Sequence, residues 1–331
     1  GHGQGLSRRD SNVRKAPHFS GIGEMDQILR RGLWRKIGIV SAALFVVAGS
    51  LLFLSYKVVW TETAPTSFAS LEPVRFFEFD LPDSNLCNGI RLNLRSAIAI
   101  DNETHQVLYC FNADTKVPVA SISKLLTAMV VLDDYWPDSV VTITSDDARN
   151  SSRSIFRVGD RVAVRDLLHT ALIRSDNRAA RALARSVAGS IEAFAVKMNE
   201  KARHIGLFDT EMFEPTGLNE RNRSTAADCA RLINHATLYP EIARITGLKD
   251  YSFRVLNRKR LKRIVNTNKL VFSKYKIVAG KTGYISESNY CLTTIIEDGR
   301  GKQVTVVVLG APGPQTRFRE ARRLATYAFK R

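Results

Sequence analysis

Ile37 to Tyr56 reads IGIVSAALFVVAGSLLFLSY, twenty residues without a charge, and this run constrains the chain more than any other feature. As a helix it is about 30 Å long, the thickness of a bilayer core. A helix on the surface of a globular core shows a polar face, and this one shows none. Arg8, Arg9, Arg14, Lys15, Arg30, Arg31, Arg35 and Lys36 precede it, whereas only Lys57 and Arg75 follow before residue 80. That asymmetry predicts a single membrane span with the N-terminus inside and everything beyond Lys57 outside. Trp34 and Trp60 flank the run as interfacial aromatics do. A cleavable signal has a shorter apolar stretch, about 7–15 residues, ending in a small-x-small site. The length favours an uncleaved anchor, and the Ala-Gly-Ser run at 48–50 leaves a soluble periplasmic product as the alternative. Either way the remainder is exported.

Export changes the meaning of Cys87, Cys110, Cys229 and Cys291. They contain no CxxC pair, which argues against zinc. In an oxidising compartment four cysteines allow three pairings, and buried free thiols are the other reading. The net charge of +17 favours anionic partners. No zinc-finger spacing and no aromatic-rich basic strand supports a nucleic-acid site.

Residues 1–36 read as a basic cytoplasmic tail, 37–56 as the anchor, 57–90 as a stalk and 91–331 as the folded domain. The domain opens with two alternating runs, 96–101 and 106–111, around a polar Asn-Glu-Thr turn, the pattern of a β-hairpin. A helix is expected over 121–135. Residues 164–238 are helical by period, with breaks at Ser175–Asn177, Ala188–Ser190 and Pro215–Asn219. Strand-like runs occupy 276–284, 289–297 and 303–310, and an amphipathic helix covers 316–330. Strands, then helices, then strands and a helix predict an α+β fold: one antiparallel sheet with flanking helices and a helical subdomain inserted between its strands.

Three short motifs carry chemistry. In Ser121-Ile-Ser-Lys124 a hydroxyl and an amine lie one helical turn apart and share a face. Serine is a poor nucleophile until a neighbour takes its proton, and a desolvated lysine can do so. Alone the motif is weak, because Ser273-Lys-Tyr-Lys276 matches it too. Ser175-Asp176-Asn177 ends an apolar helix; its blander reading is a helix stop followed by an N-cap. Lys281-Thr282-Gly283 lies in the strand-like IVAGKTGYI, where lysine and threonine can hold a carboxylate and glycine admits a peptide backbone. A phosphate loop is the rival there, but it needs glycine five residues before Gly280, and Tyr275 stands in that place.

Jointly, in this order and with these wide gaps, the three match the SxxK, SDN and KTG set of penicillin-binding proteins and β-lactamases. The chain from about Ser96 to Phe329 resembles the D-alanyl-D-alanine carboxypeptidases and endopeptidases of low molecular mass. The likeness rests on VASISKLLTAMVVLD (119–133), VGDRVAVRDLLHTALIRSDNRAARALA (158–184), FEPTGLNERNRSTAADCARL (213–232) and GKTGYISESNYCL (280–292). The EPTGL and NRAA segments, and an end soon after the KTG strand, are most similar to the endopeptidase branch.

The resemblance implies the β-lactamase/transpeptidase-like fold, peptidoglycan peptides as substrate and β-lactams as covalent inhibitors, with no metal or cofactor. It implies Ser121 as nucleophile, Lys124 as base, Ser175 as proton relay and Asn177 as holder of Lys124 and the substrate amide. Lys281, Thr282, Gly283 and Tyr284 would bind substrate, and the backbone N–H groups of Ser121 and Tyr284 would form the oxyanion hole. The rivals are a class A-like β-lactamase and a β-lactam-sensing receptor. Asp176 is typical of the former, whose deacylating glutamate lies in a loop that Glu214-Pro-Thr-Gly-Leu-Asn219 resembles. For the latter, a 36-residue tail is too small to hold a signalling domain.

Overall fold

The computed structural model of the protein describes residues 77–82, 89–134, 138–149 and 154–331. The basic tail, the uncharged run 37–56 and Cys87 lie outside the described residues. Among those described, no helix is long and apolar enough to cross a membrane.

Five strands form the main sheet: β1 (Ser96–Asp101), β2 (Val107–Phe111), β3 (Lys276–Ile285), β4 (Asn289–Glu297) and β5 (Gln303–Ala311). Their spatial order is β2-β1-β5-β4-β3, every pair antiparallel. The first hairpin and the three late strands stand within a residue of their expected bounds. β1 is buried at all six positions. Alternate residues therefore enter different cores: Ile98 and Ile100 join the larger cluster, Ala97 and Ala99 the smaller. β5 divides likewise, Val307 and Leu309 to one side and Val304, Val306 and Val308 to the other. A sheet buried on both faces needs a layer on each.

The C-terminal helix Pro314–Ala328 fills the smaller core with Phe318, Ala321, Leu324, Ala325 and Ala328. The inserted helical block fills the larger. Its centre is α1 (Lys124–Asp134), whose residues 124–131 are all buried, so the segment shows no polar stripe. A 3-10 turn, Ala120–Ser123, precedes it where the sequence reading has continuous helix. Around α1 pack α2 (Asn177–Ala188), α3 (Ile191–His204) and α4 (Ala226–Thr237), with N-caps Asp176, Ser190 and Thr225.

The structure departs from expectation in three further places. The break expected at Pro215–Asn219 runs from Ile205 to Thr225. There the backbone donors go to side chains instead of a helical ladder: Asp209 to Asp228, Met212 to Asn199, and Phe213 to Asn222. A short helix, Pro240–Gly247, and a hairpin, Asp250–Arg254 with Leu261–Val265, fill a stretch whose sequence shows no sustained period. Residues expected in the stalk also pack onto the domain. The ring of Phe79 is buried beneath the Arg231 guanidinium, Phe77 sits 4.5 Å from His105, and Tyr109 Oη donates to the Ile90 carbonyl. Cys110 is disulfide-bonded, and Cys229 and Cys291 are buried free thiols.

Candidate active site

Val117–Pro118 pairs with Arg223–Ser224, and the Val119 N–H donates to the Asn222 carbonyl at 3.1 Å. The chain then turns sharply into the 3-10 segment. Ala120 takes φ +48°, a left-handed conformation that costs a residue with a side chain on the order of 1–3 kcal/mol. That turn places Ser121 at the mouth of the buried α1, itself 9% exposed.

Lys124 is 1% exposed. Its ammonium nitrogen donates to Ser121 Oγ at 2.7 Å, to Asn177 Oδ1 at 2.7 Å and to the Thr216 carbonyl. Ser121 Oγ donates to the same carbonyl at 3.1 Å. Burial pulls Lys124 down to about 8, against the opposing charges of Glu214 and Asp176. A lysine so placed is far more often neutral near pH 7 than an exposed one, and only the neutral amine can accept a proton.

Thr216 is held by a loop that one carboxylate organises. Glu214 Oε2 accepts from the Thr216 N–H at 2.7 Å and its hydroxyl at 2.6 Å. Oε1 accepts from the N–H groups of Gly217 (2.6 Å), Leu218 (2.9 Å) and Asn219 (3.3 Å) and from Asn222 Nδ2 (3.2 Å). Gly217 adopts φ +79°, and a Cβ there would stand 2.0 Å from the Ala120 carbonyl oxygen. The loop thus fits directly against the turn that carries Ser121.

The second motif lies where the helix Val164–His169 passes into a π-helical segment, Thr170–Arg174, and then breaks. Ser175 has φ +64°. Asp176 caps α2, accepting from the Ala179 N–H at 3.1 Å, and also holds Ser154 Oγ and the Ile155 N–H. The capping reading and the site reading therefore coexist: Asp176 closes the helix while Ser175 and Asn177 point toward the lysines.

β3 forms the opposite wall. Lys281 is 1% exposed, and its ammonium donates to Ser175 Oγ at 2.9 Å and to the Thr282 carbonyl at 2.8 Å. Burial, then Lys124 and Arg317, hold it well below the usual lysine range. Thr282 Oγ1 lies 2.8 Å from Thr267 Oγ1. A Cβ on Gly283 would fall 2.7 Å from the Val119 carbonyl and 3.2 Å from the Ser121 nitrogen, so only glycine lets β3 approach the turn that carries Ser121. Tyr284 is 52% exposed at the rim and stacks on Tyr290. Ser121, Lys124 and Asn177 thus form one bonded group, and Ser175, Lys281 and Thr282 another. Ser273 of the rival SxxK stands apart, its hydroxyl donating to the Leu270 carbonyl.

Two features escaped the sequence reading. Arg317, from the C-terminal helix, donates to the Gly283 carbonyl at 3.0 Å behind β3, and its buried Nε has no partner among the described residues. No local pattern marks it. The other is the Thr216 carbonyl, a backbone atom that no residue type announces.

A serine bonded to a buried lysine, faced by a second buried lysine on the edge strand of an α+β sheet, is the geometry in which an acyl transfer can be carried out. The sequence profile of the D-alanyl-D-alanine carboxypeptidase family matches residues 87–313, and the chain belongs to that family of serine peptidases. It is 41% identical over 236 residues to the D-alanyl-D-alanine endopeptidase of Pseudomonas aeruginosa, spanning 69% of this chain and 75% of that protein. The D-alanyl-D-alanine endopeptidase of Escherichia coli is 36% identical over 238 residues, 70% of this chain and 76% of the relative. The crystal structure of a Streptomyces DD-transpeptidase superposes with TM-score 0.69 at 29% identity, covering 74% of this chain and 100% of that one.

Proposed function

We propose that the protein is a serine D,D-peptidase of peptidoglycan, with Ser121 as nucleophile, and that it prefers the cross-link to the terminal dipeptide. The observation that carries the mechanism is Lys124: buried, pulled down to about 8, and 2.7 Å from Ser121 Oγ. Neutral Lys124 takes the Ser121 proton as Oγ attacks the D-alanyl carbonyl carbon. The backbone N–H groups of Ser121 and Tyr284 receive the developing oxyanion. The proton returns to the leaving amine through Ser175, which Lys281 holds at 2.9 Å, and the C–N bond breaks to leave an ester on Ser121. Asn177 keeps Lys124 in place, and water then hydrolyses the ester. Lys281 and Thr282 supply the amine and hydroxyl groups that suit a substrate carboxylate. A β-lactam enters the same path and stays as the acyl-enzyme.

The cross-link preference is supported by the relatives named D-alanyl-D-alanine endopeptidases. Purified cross-linked and uncross-linked muropeptides separate the cases by mass: dimers should fall to monomers faster than pentapeptide loses alanine. Loss of alanine alone, with dimers intact, contradicts the preference. A class A-like β-lactamase is disfavoured by Glu214. Both its oxygens are filled by loop donors, which leaves no carboxylate lone pair aimed at an attacking water. The run 37–56 serves as a single membrane anchor with the peptidase outside, where polymerised peptidoglycan lies. Retention in membranes after alkaline washing, with an intact basic N-terminus, is the expected result; a processed soluble protein contradicts it.

A further inference from the structure

Between Asp250 and Glu287 the chain carries ten lysines and arginines and no acidic residue. Seven of the ten lie from Arg254 to Lys269, in and just after the hairpin Asp250–Arg254/Leu261–Val265. The hairpin's inner face is fastened to the helical subdomain. Tyr251 stacks on His169 with centroids 3.8 Å apart and donates its hydroxyl to Asp166, and Phe253 packs on Phe156. The turn is tied as well: the Leu256 N–H donates to the Arg161 carbonyl, and Asn257 exchanges hydrogen bonds with Arg161 and Gly159.

The outer face is different. By strand alternation it presents Arg254 opposite Leu261, Ser252 opposite Arg263, and Asp250 opposite Val265. Leu256, Leu261 and Val265 are 55%, 57% and 45% exposed. Arg263 is paired with Asp250 and Arg258 with Asp160. Arg254, Lys259, Arg260 and Lys262 have no carboxylate partner among the described residues. A rigid projection whose cations surround three uncovered aliphatic side chains matches a lipid interface, where headgroups take the charge and the acyl boundary takes the apolar groups. A purely ionic wall polymer would make no use of the leucines.

We propose that this hairpin docks on an anionic phospholipid surface, seating Leu256, Leu261 and Val265 at the acyl boundary with Arg254, Lys259 and Arg260 among the headgroups. The proposal rests on the anchored reading of residues 37–56. Docking would set the orientation of the cleft relative to the membrane, because Thr267, just past the hairpin, bonds both Thr282 and the Ile173 carbonyl before Ser175.

The test uses the full chain reconstituted into phosphatidylcholine vesicles with or without phosphatidylglycerol, carrying a polarity-sensitive fluorophore on Leu261→Cys. The expected result is a blue shift and quenching by brominated lipid only with phosphatidylglycerol. The triple change Arg254→Gln, Lys259→Gln, Arg260→Gln should weaken docking roughly a hundredfold, at about tenfold or less per cation. Penicillin labelling of that variant should stay at the native rate, which shows that it folds. Equal signals in both lipids, no signal in either, or a shift produced by soluble peptidoglycan fragments instead would each overturn the proposal. Flotation with phosphatidylcholine vesicles reports the anchor separately, so a failed anchor and a failed docking surface are told apart.

Discussion

Glu214→Gln separates two effects of one carboxylate on the proposed base. The amide keeps one carbonyl oxygen, which can still accept from Gly217, Leu218, Asn219 and Asn222. Its NH2 group, however, faces the Thr216 N–H and hydroxyl, two donors that now lack an acceptor. Each unsatisfied buried donor costs about 1–3 kcal/mol, and the hydroxyl can turn away, so a loss of about 2 kcal/mol of stability is expected. The loop then relaxes and carries the Thr216 carbonyl off Lys124 and Ser121. At high pH, where Lys124 is neutral in both proteins, acylation by a fluorescent penicillin should be about 10–100-fold slower, a loss of about 1.4–2.8 kcal/mol. The second effect is electrostatic. Glu214 favours protonated Lys124. With Lys124 near 8, only about a tenth of it is neutral at pH 7 in the native protein. Removing the charge moves the rising limb of the acylation profile to lower pH. Stopped-flow acylation across pH 5–10, as a second-order constant, reads plateau and limb together. A variant of lower melting temperature with native plateau and native limb would refute this account of Glu214.

Gly217→Ala should slow acylation about a hundredfold, because its Cβ would press on the Ala120 carbonyl and shift the turn that carries Ser121; native rates in a folded variant count against that contact. Lys124, at about 8 folded and about 10.5 unfolded, binds fewer protons in the native state across that window. Its contribution to stability therefore rises with pH from about 8 to 10.5, by about 3 kcal/mol, and urea unfolding of the native protein should show this rise relative to Lys124→Met. Parallel pH dependences would contradict the buried ammonium. Phe79→Ala should destabilise the domain by about 3 kcal/mol, since the ring is buried under Arg231; an unchanged midpoint would return residues 77–82 to the stalk.

How far the sequence was legible depends on the range of the interactions. β1 and β2, the late strands and the C-terminal helix follow from alternation and period, which are local, and their bounds hold to within a residue or two. The motif residues were visible because each chemistry demands a particular side chain at a short spacing. Their assembly was not: Lys281 reaches Ser175 across 106 residues of chain. Glu214 was noticed for the wrong reason. Its resemblance to a deacylating loop concealed that its bonds run to N–H groups two to five residues on, a pattern that reads only as a loop. The second strand of the hairpin at 250–265 breaks the alternation that would mark it, because Lys262 shares the inner face with Ile264 while Leu261 and Val265 stand on the outer one. Arg317 was invisible because its role arises from a helix crossing behind β3.

Ser121, activated by Lys124, is proposed to form the acyl bond, and mass mapping of the protein after brief exposure to penicillin reads that bond out. A single penicilloyl ester is expected, on the peptide containing Ser121, absent from Ser121→Ala and formed about 10²–10⁴-fold more slowly in Lys124→Ala. An adduct on Ser273 or another residue, or undiminished labelling of folded Ser121→Ala, would contradict it.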